Sequence, residues 1–174
     1  MNREMTEGFQ KAAPVGKHPP VGGIEDVITF RLNVLVSIGE RAGQQWSEKM
    51  FGLSLNEWRV LALVKARGPC RASDIADLLF MDKSQASRVI KALLKAGLVQ
   101  NLPDPNDGRA VALRATAKGE KLYGEVMAEV LRSNERILAP LSREEVEAFS
   151  STLDKLIAHS RDLLEVRLGR QIAR

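Results

Sequence analysis

The sequence predicts a mostly α-helical chain with a single two-stranded hairpin inserted among its helices. Three observations point to this. Apolar residues recur at helical spacing over six separate stretches. Helix-opening signatures of the Ser-x-x-Glu kind punctuate those stretches. Once only, between Leu98 and Arg114, the helical period gives way to a run, a tight turn and a returning run.

The first helix spans about Ile24 to Phe51, with Ile24, Ile28, Leu35, Ile38, Ala42, Trp46 and Met50 mostly three, four or seven apart. Val27, Phe30 and Val34 widen its stripe, so this helix of about 40 Å is apolar on two sides and calls for two partners, its own domain and another subunit. Ser54-Leu-Asn-Glu57 is a capping box opening a helix that buries Trp58, Val60, Leu61 and Val64 and stops at Gly68-Pro69. Ser73 is the expected cap of a short third helix, Asp74 to Phe80. Asp82-Lys-Ser-Gln85 opens a fourth, which ends at Gly97.

The hairpin follows: Leu98 to Leu102 as a strand, Pro103 to Gly108 as the turn, Ala110 to Arg114 as the return. Thr116 can cap a fifth helix running to about Leu138, where Pro140 breaks it. Ser142-Arg-Glu-Glu145 opens the last helix, whose Val146, Phe149, Leu153, Leu156 and Leu163 approach a heptad seam. The order of elements is that of a winged helix-turn-helix over residues 53–116, with N- and C-terminal helices, 24–52 and 117–174, forming a dimerisation domain. Residues 1–23, rich in Pro and Gly, read as a disordered tail.

Composition narrows the class. The 174 residues are 44% hydrophobic and 28% charged, ordinary for a globular protein. No apolar run reaches the roughly 20 residues that span a membrane, and the N-terminus lacks a secretion-signal pattern. The single cysteine forbids an intramolecular disulfide and fits a reducing cytoplasm. The net charge of +4 equals the surplus between Lys83 and Arg114 alone, where six basic residues face two acidic ones. A phosphate-facing surface needs such a concentration of charge.

In the fourth helix Ala86, Ile90, Leu93 and Leu94 fall on one face, and Ser84, Ser87, Arg88, Lys91 and Lys95 form a continuous outward stripe. A polar stripe on a short helix is usually a solvent face. Here it carries no acid, follows a short helix after a tight turn, and precedes a hairpin bearing Arg109, which together favour insertion in the DNA major groove. Ser84, Gln85 and Arg88 fall near base edges, since Gln matches adenine and Arg matches guanine bidentately, whereas Lys91 and Lys95 suit phosphate. Arg109, beside the turn, can enter a narrow minor groove. Asp107 cannot face phosphate, so it is expected to hold Arg109 by an ion pair or to fix the turn.

The stretch from Leu53 to Gly119 resembles the MarR (multiple antibiotic resistance regulator) family. The resemblance is carried by Leu55-Asn-Glu-Trp-Arg-Val-Leu61, Ser73-Asp-Ile-Ala-Asp-Leu-Leu79, the run from Lys83 to Val99, Asp104-Pro-Asn-Asp-Gly-Arg-Ala110 and Thr116-Ala-Lys-Gly119. It implies a homodimer that represses genes from a palindromic operator, often released by a small phenolic or aromatic ligand. It places Ser84, Gln85, Ser87, Arg88 and Lys91 on the recognition helix, and Asp107 and Arg109 on the family's Asp-x-Arg wing element. Two positions depart: Gln100-Asn101 stand where an acid and a base are usual, and Ala115 where a leucine commonly precedes the threonine.

Relatives hold effectors between the dimer helices and the reading lobe, a position that Arg41, Trp46 and Trp58 could line, although aromatics at helical spacing are usually core. Cys70 lies in the turn before the third helix, away from the first long helix where peroxide-sensing relatives keep their thiol, and reads as a small apolar residue. An enzyme is disfavoured: His18 and His159 stand apart, and there is no Cys/His metal spacing, phosphate loop or Gly-x-Ser-x-Gly. No cofactor or metal is expected. The rival reading is a dimeric nucleoid-associated or interaction protein that binds double-stranded DNA without sequence preference; Gln85 and Arg88 argue for sequence reading.

Overall fold

The computed structural model describes residues 20–104 and 107–167, so most of the expected tail lies outside the described residues. A 3-10 turn, Ile24–Asp26, precedes α1 (Ile28–Phe51), α2 (Leu55–Arg67), α3 (Ala72–Leu79), α4 (Lys83–Lys95), β1 (Val99–Asp104), β2 (Asp107–Ala115), α5 (Ala117–Leu138) and α6 (Arg143–Arg167). The fold is thus mostly helical with one two-stranded antiparallel sheet, as the sequence predicts. Two compact units divide the chain, Met1–Val126 and Met127–Arg174, and the boundary falls within α5.

The first helix is shorter than its apolar pattern predicts. Val27 is extended (φ −70°, ψ 118°), because residues 23–27 close a 3-10 turn in which Asp26 N and Val27 N donate to Gly23 and Ile24 carbonyls. Gly22 N also donates to Asp26 Oδ2 at 2.8 Å, and α1 starts only beyond this turn. At its far end Gly52 takes a left-handed conformation (φ 65°), and the buried Ser47 hydroxyl donates to Leu53 O at 2.8 Å, turning the chain into α2.

Both halves of the expected box at Ser54 form: Glu57 N donates to Ser54 Oγ at 3.3 Å and Ser54 N to Glu57 Oε2 at 2.7 Å. The cap of α3 differs from the Ser73 expectation. Arg71 occupies the cap position and its amide donates to Asp74 Oδ2 at 3.3 Å, while Ser73 lies inside the helix with its hydroxyl on Asp74 Oδ1. An acid at the third helical position reaches back to the cap amide, so the helix begins two residues before a Ser73-capped one would. Phe80 ends α3 in a left-handed conformation (φ 52°) and is largely exposed.

The core of the first unit gathers Val60, Leu61 and Val64 of α2, Ile75 of α3, Ala86, Ile90 and Leu93 of α4, Leu98, Val99, Ala112 and Leu113 of the hairpin, and Val126 of α5. Each of the valines, leucines and isoleucines among them contributes about 1.5–3 kcal/mol when fully buried. Gly97 (φ 68°) reverses the chain out of α4, and Leu98 N donates to Leu93 O. The hairpin pairs Val99 with Ala115 through Pro103 with Val111, then shifts register so that Asp104 faces Asp107. The strands therefore run further toward the tip than predicted: Asp107, expected in the turn, and Arg109, expected just past it, both belong to β2. Thr116 caps α5 as expected, accepting from Gly119 N at 3.1 Å while its hydroxyl donates to Gly97 O at 2.7 Å.

In the second unit α6 opens on Ser142, whose amide donates to Glu145 Oε2 at 2.7 Å and whose hydroxyl accepts from Glu145 N at 3.2 Å. No α6 residue is buried, and Phe149, Leu156 and Leu163 of its apolar seam are exposed.

Candidate nucleic-acid interface

α4 is fixed from its buried face outward. Ala86, Ile90 and Leu93 are buried and Leu94 is half-buried, so the helix cannot rotate without exposing them. Ser84, Ser87, Arg88, Lys91 and Lys95 are all exposed, which gives the acid-free stripe that the spacing predicts. Gln85 is half-buried and lines a shallow groove at the start of the helix.

Asp82 caps α4, accepting from Gln85 N at 2.7 Å and from the Ser84 hydroxyl at 2.8 Å. These bonds, the backbone one foremost, hold its carboxyl below the ordinary aspartate range. Its charge is thereby spent on the helix end, and the hydroxyl of Ser84 keeps only its acceptor side for a base or phosphate.

The wing is tied to the helices by a residue that the sequence reading missed. Arg71 Nε donates to Asp104 Oδ2 at 2.7 Å, and its Nη2 lies 3.5 Å from Asp107 Oδ2. The Asp104 side chain is only 6% exposed, and its Oδ1 accepts from Asp107 N at 3.1 Å. Asp104, which the sequence reading left without a role, therefore fixes the turn. The Asp107 carboxylate faces Arg71; the expected pairing with Arg109 falls on a side chain outside the described residues. The missed signal was an arginine directly ahead of a short helix, together with a wing bearing two acids.

Cys70 pairs with Leu113 in an isolated antiparallel bridge, Leu113 N donating to Cys70 O at 2.8 Å and Cys70 N to Leu113 O at 3.2 Å. The thiol is buried. Desolvation first, and Asp74 second, push its pKa up against a smaller opposing pull from Arg67. A buried, protonated thiol is a packing group.

The three residues read for an effector differ in burial. Trp58 is buried and stacks on Tyr123 with ring centres 5.6 Å apart. Trp46 is half-buried with its ring edge-on to Phe51, and Arg41 is exposed. The groove beside Gln85, of about 490 Å³, is lined instead by Glu40, Asn56, Arg59 and residues 78–81. Glu40 and Arg59 pair across it at 2.8 Å, linking α1 to α2. Among the described residues no helix is long and apolar enough to cross a membrane, and no cluster of side chains could hold a metal ion.

Comparison with known proteins agrees with this geometry. Residues 51–110 match the model of the MarR family. The chain is 33% identical over 100 residues to the HTH-type transcriptional regulator FarR of Neisseria gonorrhoeae, covering 58% of this chain and 68% of that protein. A probable transcriptional regulator from Pseudomonas aeruginosa superposes with a TM-score of 0.66 at 28% identity, over 77% of this chain and 99% of that one. S. aureus MepR, solved as a DNA complex, shares the fold with a TM-score of 0.68 at 19% identity, over 79% of this chain and 99% of that one. The chain belongs to the MarR family and is a DNA-binding transcriptional regulator of the winged helix-turn-helix type, not an enzyme.

Proposed function

We propose that the protein is a homodimeric, ligand-responsive repressor, cytoplasmic and nucleoid-associated, that reads a palindromic operator with α4 in the major groove and its wing in the adjacent minor groove. The observation that carries this is the acid-free exposed stripe Ser84, Ser87, Arg88, Lys91 and Lys95 on a helix locked by its buried face, followed at once by the hairpin. Ser84, Gln85 and Arg88 are assigned to base edges, Lys91 and Lys95 to phosphates, Arg109 to the minor groove and Asp107 to support of the wing. The domain assignment follows: residues 53–116 read DNA, and 24–52 with 117–174 dimerise. Support for the dimer comes from large apolar side chains that are exposed among the described residues: Ile28, Leu35, Val36 and Ile38 on α1, and Ile137, Phe149 and Leu163 on α5 and α6.

For the effector we keep the small aromatic class. Arg41 and Trp46 are the assigned residues with surface to offer, and Trp58 would act through its packing. A ligand in the groove beside Gln85 would also bear on the Glu40–Arg59 link and the start of α4.

The test is fluorescence anisotropy with DNA upstream of the protein's own gene and a scrambled duplex, over a salt series. A preference of roughly a thousandfold or more that survives rising salt, with two-fold-symmetric protection at major grooves about 34 Å apart, is the expected result. Equal affinities that collapse together with salt would instead support a nucleoid-associated protein that binds phosphate alone.

A further inference from the structure

The wing of this chain is joined to its helices by a side chain rooted in rigid backbone. Arg71 follows Cys70, whose amide and carbonyl are both bonded to Leu113 of β2, and its own amide is held by Asp74 of α3. From this root its guanidinium reaches two carboxylates at the base of the wing tip, Asp104 at 2.7 Å and Asp107 at 3.5 Å. The Asp104 carboxylate is buried, and a buried charge demands a partner of opposite sign. Its other oxygen accepts from the Asp107 amide, so one carboxylate both closes the register shift between the strands and ties them to α3. Arg109 follows Asp107 by two residues on β2.

We propose that Arg71 is a positioning residue for DNA binding: through Asp104 and Asp107 it holds the wing at the pitch at which it meets the minor groove. This rests on the assignment of the wing to DNA given above. A two-stranded ribbon is marginally stable by itself and free to twist and lean, and a displacement of about 1 Å can forfeit a hydrogen-bond geometry. Holding the ribbon in its bound conformation beforehand lowers the ordering cost of binding. Arg71 would contribute to affinity in this way without touching a base.

The test is a double-mutant cycle of Arg71→Gln and Arg109→Ala, read by anisotropy on a duplex selected from a random-sequence pool by the wild-type protein. Arg71→Gln is expected to weaken binding about tenfold, an ordinary coupling for residues acting as a unit. On the Arg109→Ala background it should cost almost nothing more. Hydroxyl-radical protection should fade in the minor grooves flanking each half-site while the major-groove pattern of α4 persists. Arg71→Lys, which keeps a charge but loses the fork, should recover part of the loss. If Arg71→Gln costs the same in both backgrounds, it acts through general stability and the proposal is overturned. Full affinity in Arg71→Gln beside a weakened Arg109→Ala would show that the clamp is dispensable while the wing still binds. If neither variant weakens binding, the wing assignment fails and this proposal with it. Should Arg71→Gln fail to fold, the cycle is run with Arg71→Lys, which keeps a charge for Asp104 but loses the fork that reaches Asp107 as well.

Discussion

Gly119, in the first turn of α5, lies so close to the chain leaving α4 that a Cβ built on it would stand 2.0 Å from the carbonyl oxygen of Leu98. That oxygen cannot retreat, because it accepts from Thr116 N at 3.0 Å. Leu61 Cδ1 would lie 3.4 Å away on the same side. Glycine inside a helix ordinarily costs about 0.5–1 kcal/mol relative to alanine, so Gly119→Ala would be a stabilising change in an isolated helix. Here the sign reverses. The substitution should cost about 3 kcal/mol or more, read as a lower urea midpoint with an unchanged slope.

The proposed function divides the exposed arginine and lysines of α4 by role. Arg88→Ala should cost about 1–3 kcal/mol at one operator position and flatten the preference there, while Lys95→Ala should weaken all duplexes alike and reduce the salt slope by about one. Binding titrations against operator variants at several salt concentrations separate the two. Equal losses for both variants on random DNA would remove Arg88 from base reading.

Cys70 should be inert in the folded protein. Burial raises its pKa, so little thiolate exists near neutrality, and thiol-disulfide reagents need the thiolate. The expected result is labelling by a disulfide reagent only as fast as the protein opens, with DNA affinity unchanged after mild peroxide. Rapid labelling of native protein would contradict this.

Asp82 gives α4 an acid-sensitive start. Its folded-state pKa is depressed by the Gln85 amide and the Ser84 hydroxyl, so its contribution is complete above the ordinary carboxylate range and is lost as pH falls through the depressed value. The Gln85 amide resonance should therefore titrate with a midpoint below 3.8, the ordinary value for the group. In Asp82→Asn, which can still cap, that titration should vanish while the helix persists at neutral pH.

The features legible in the sequence are those decided within one helical turn or one face. Ser54 with Glu57, Ser142 with Glu145 and Thr116 with Gly119 are bonds between residues three apart, so their spacing announces them. The outward stripe of α4 follows from periodicity once Ala86, Ile90 and Leu93 are inside. At Ser73 two local solutions competed, and Asp74 reaching back to Arg71 won. At Val27 an apolar pattern continued across a break that only backbone bonding creates. The Arg71–Asp104 pair was not legible at all, because nothing local says which acid a distant arginine will meet. The same holds for the ring that covers Trp58: its burial follows from helical spacing, but nothing local says that it stacks on Tyr123.

The bridge between Cys70 and Leu113 also bears on how the molecule comes to be folded. It joins the chain just after α2 to the returning strand of the hairpin, with α3, α4 and β1 all lying between them in sequence. A hairpin forms in microseconds by itself but is barely stable in water. The contact that anchors it closes a long loop, whose entropy is recovered only when the intervening helices have packed. The final seating of the wing should therefore be among the late events of folding, and its amides should show how completely the helices beneath it have assembled.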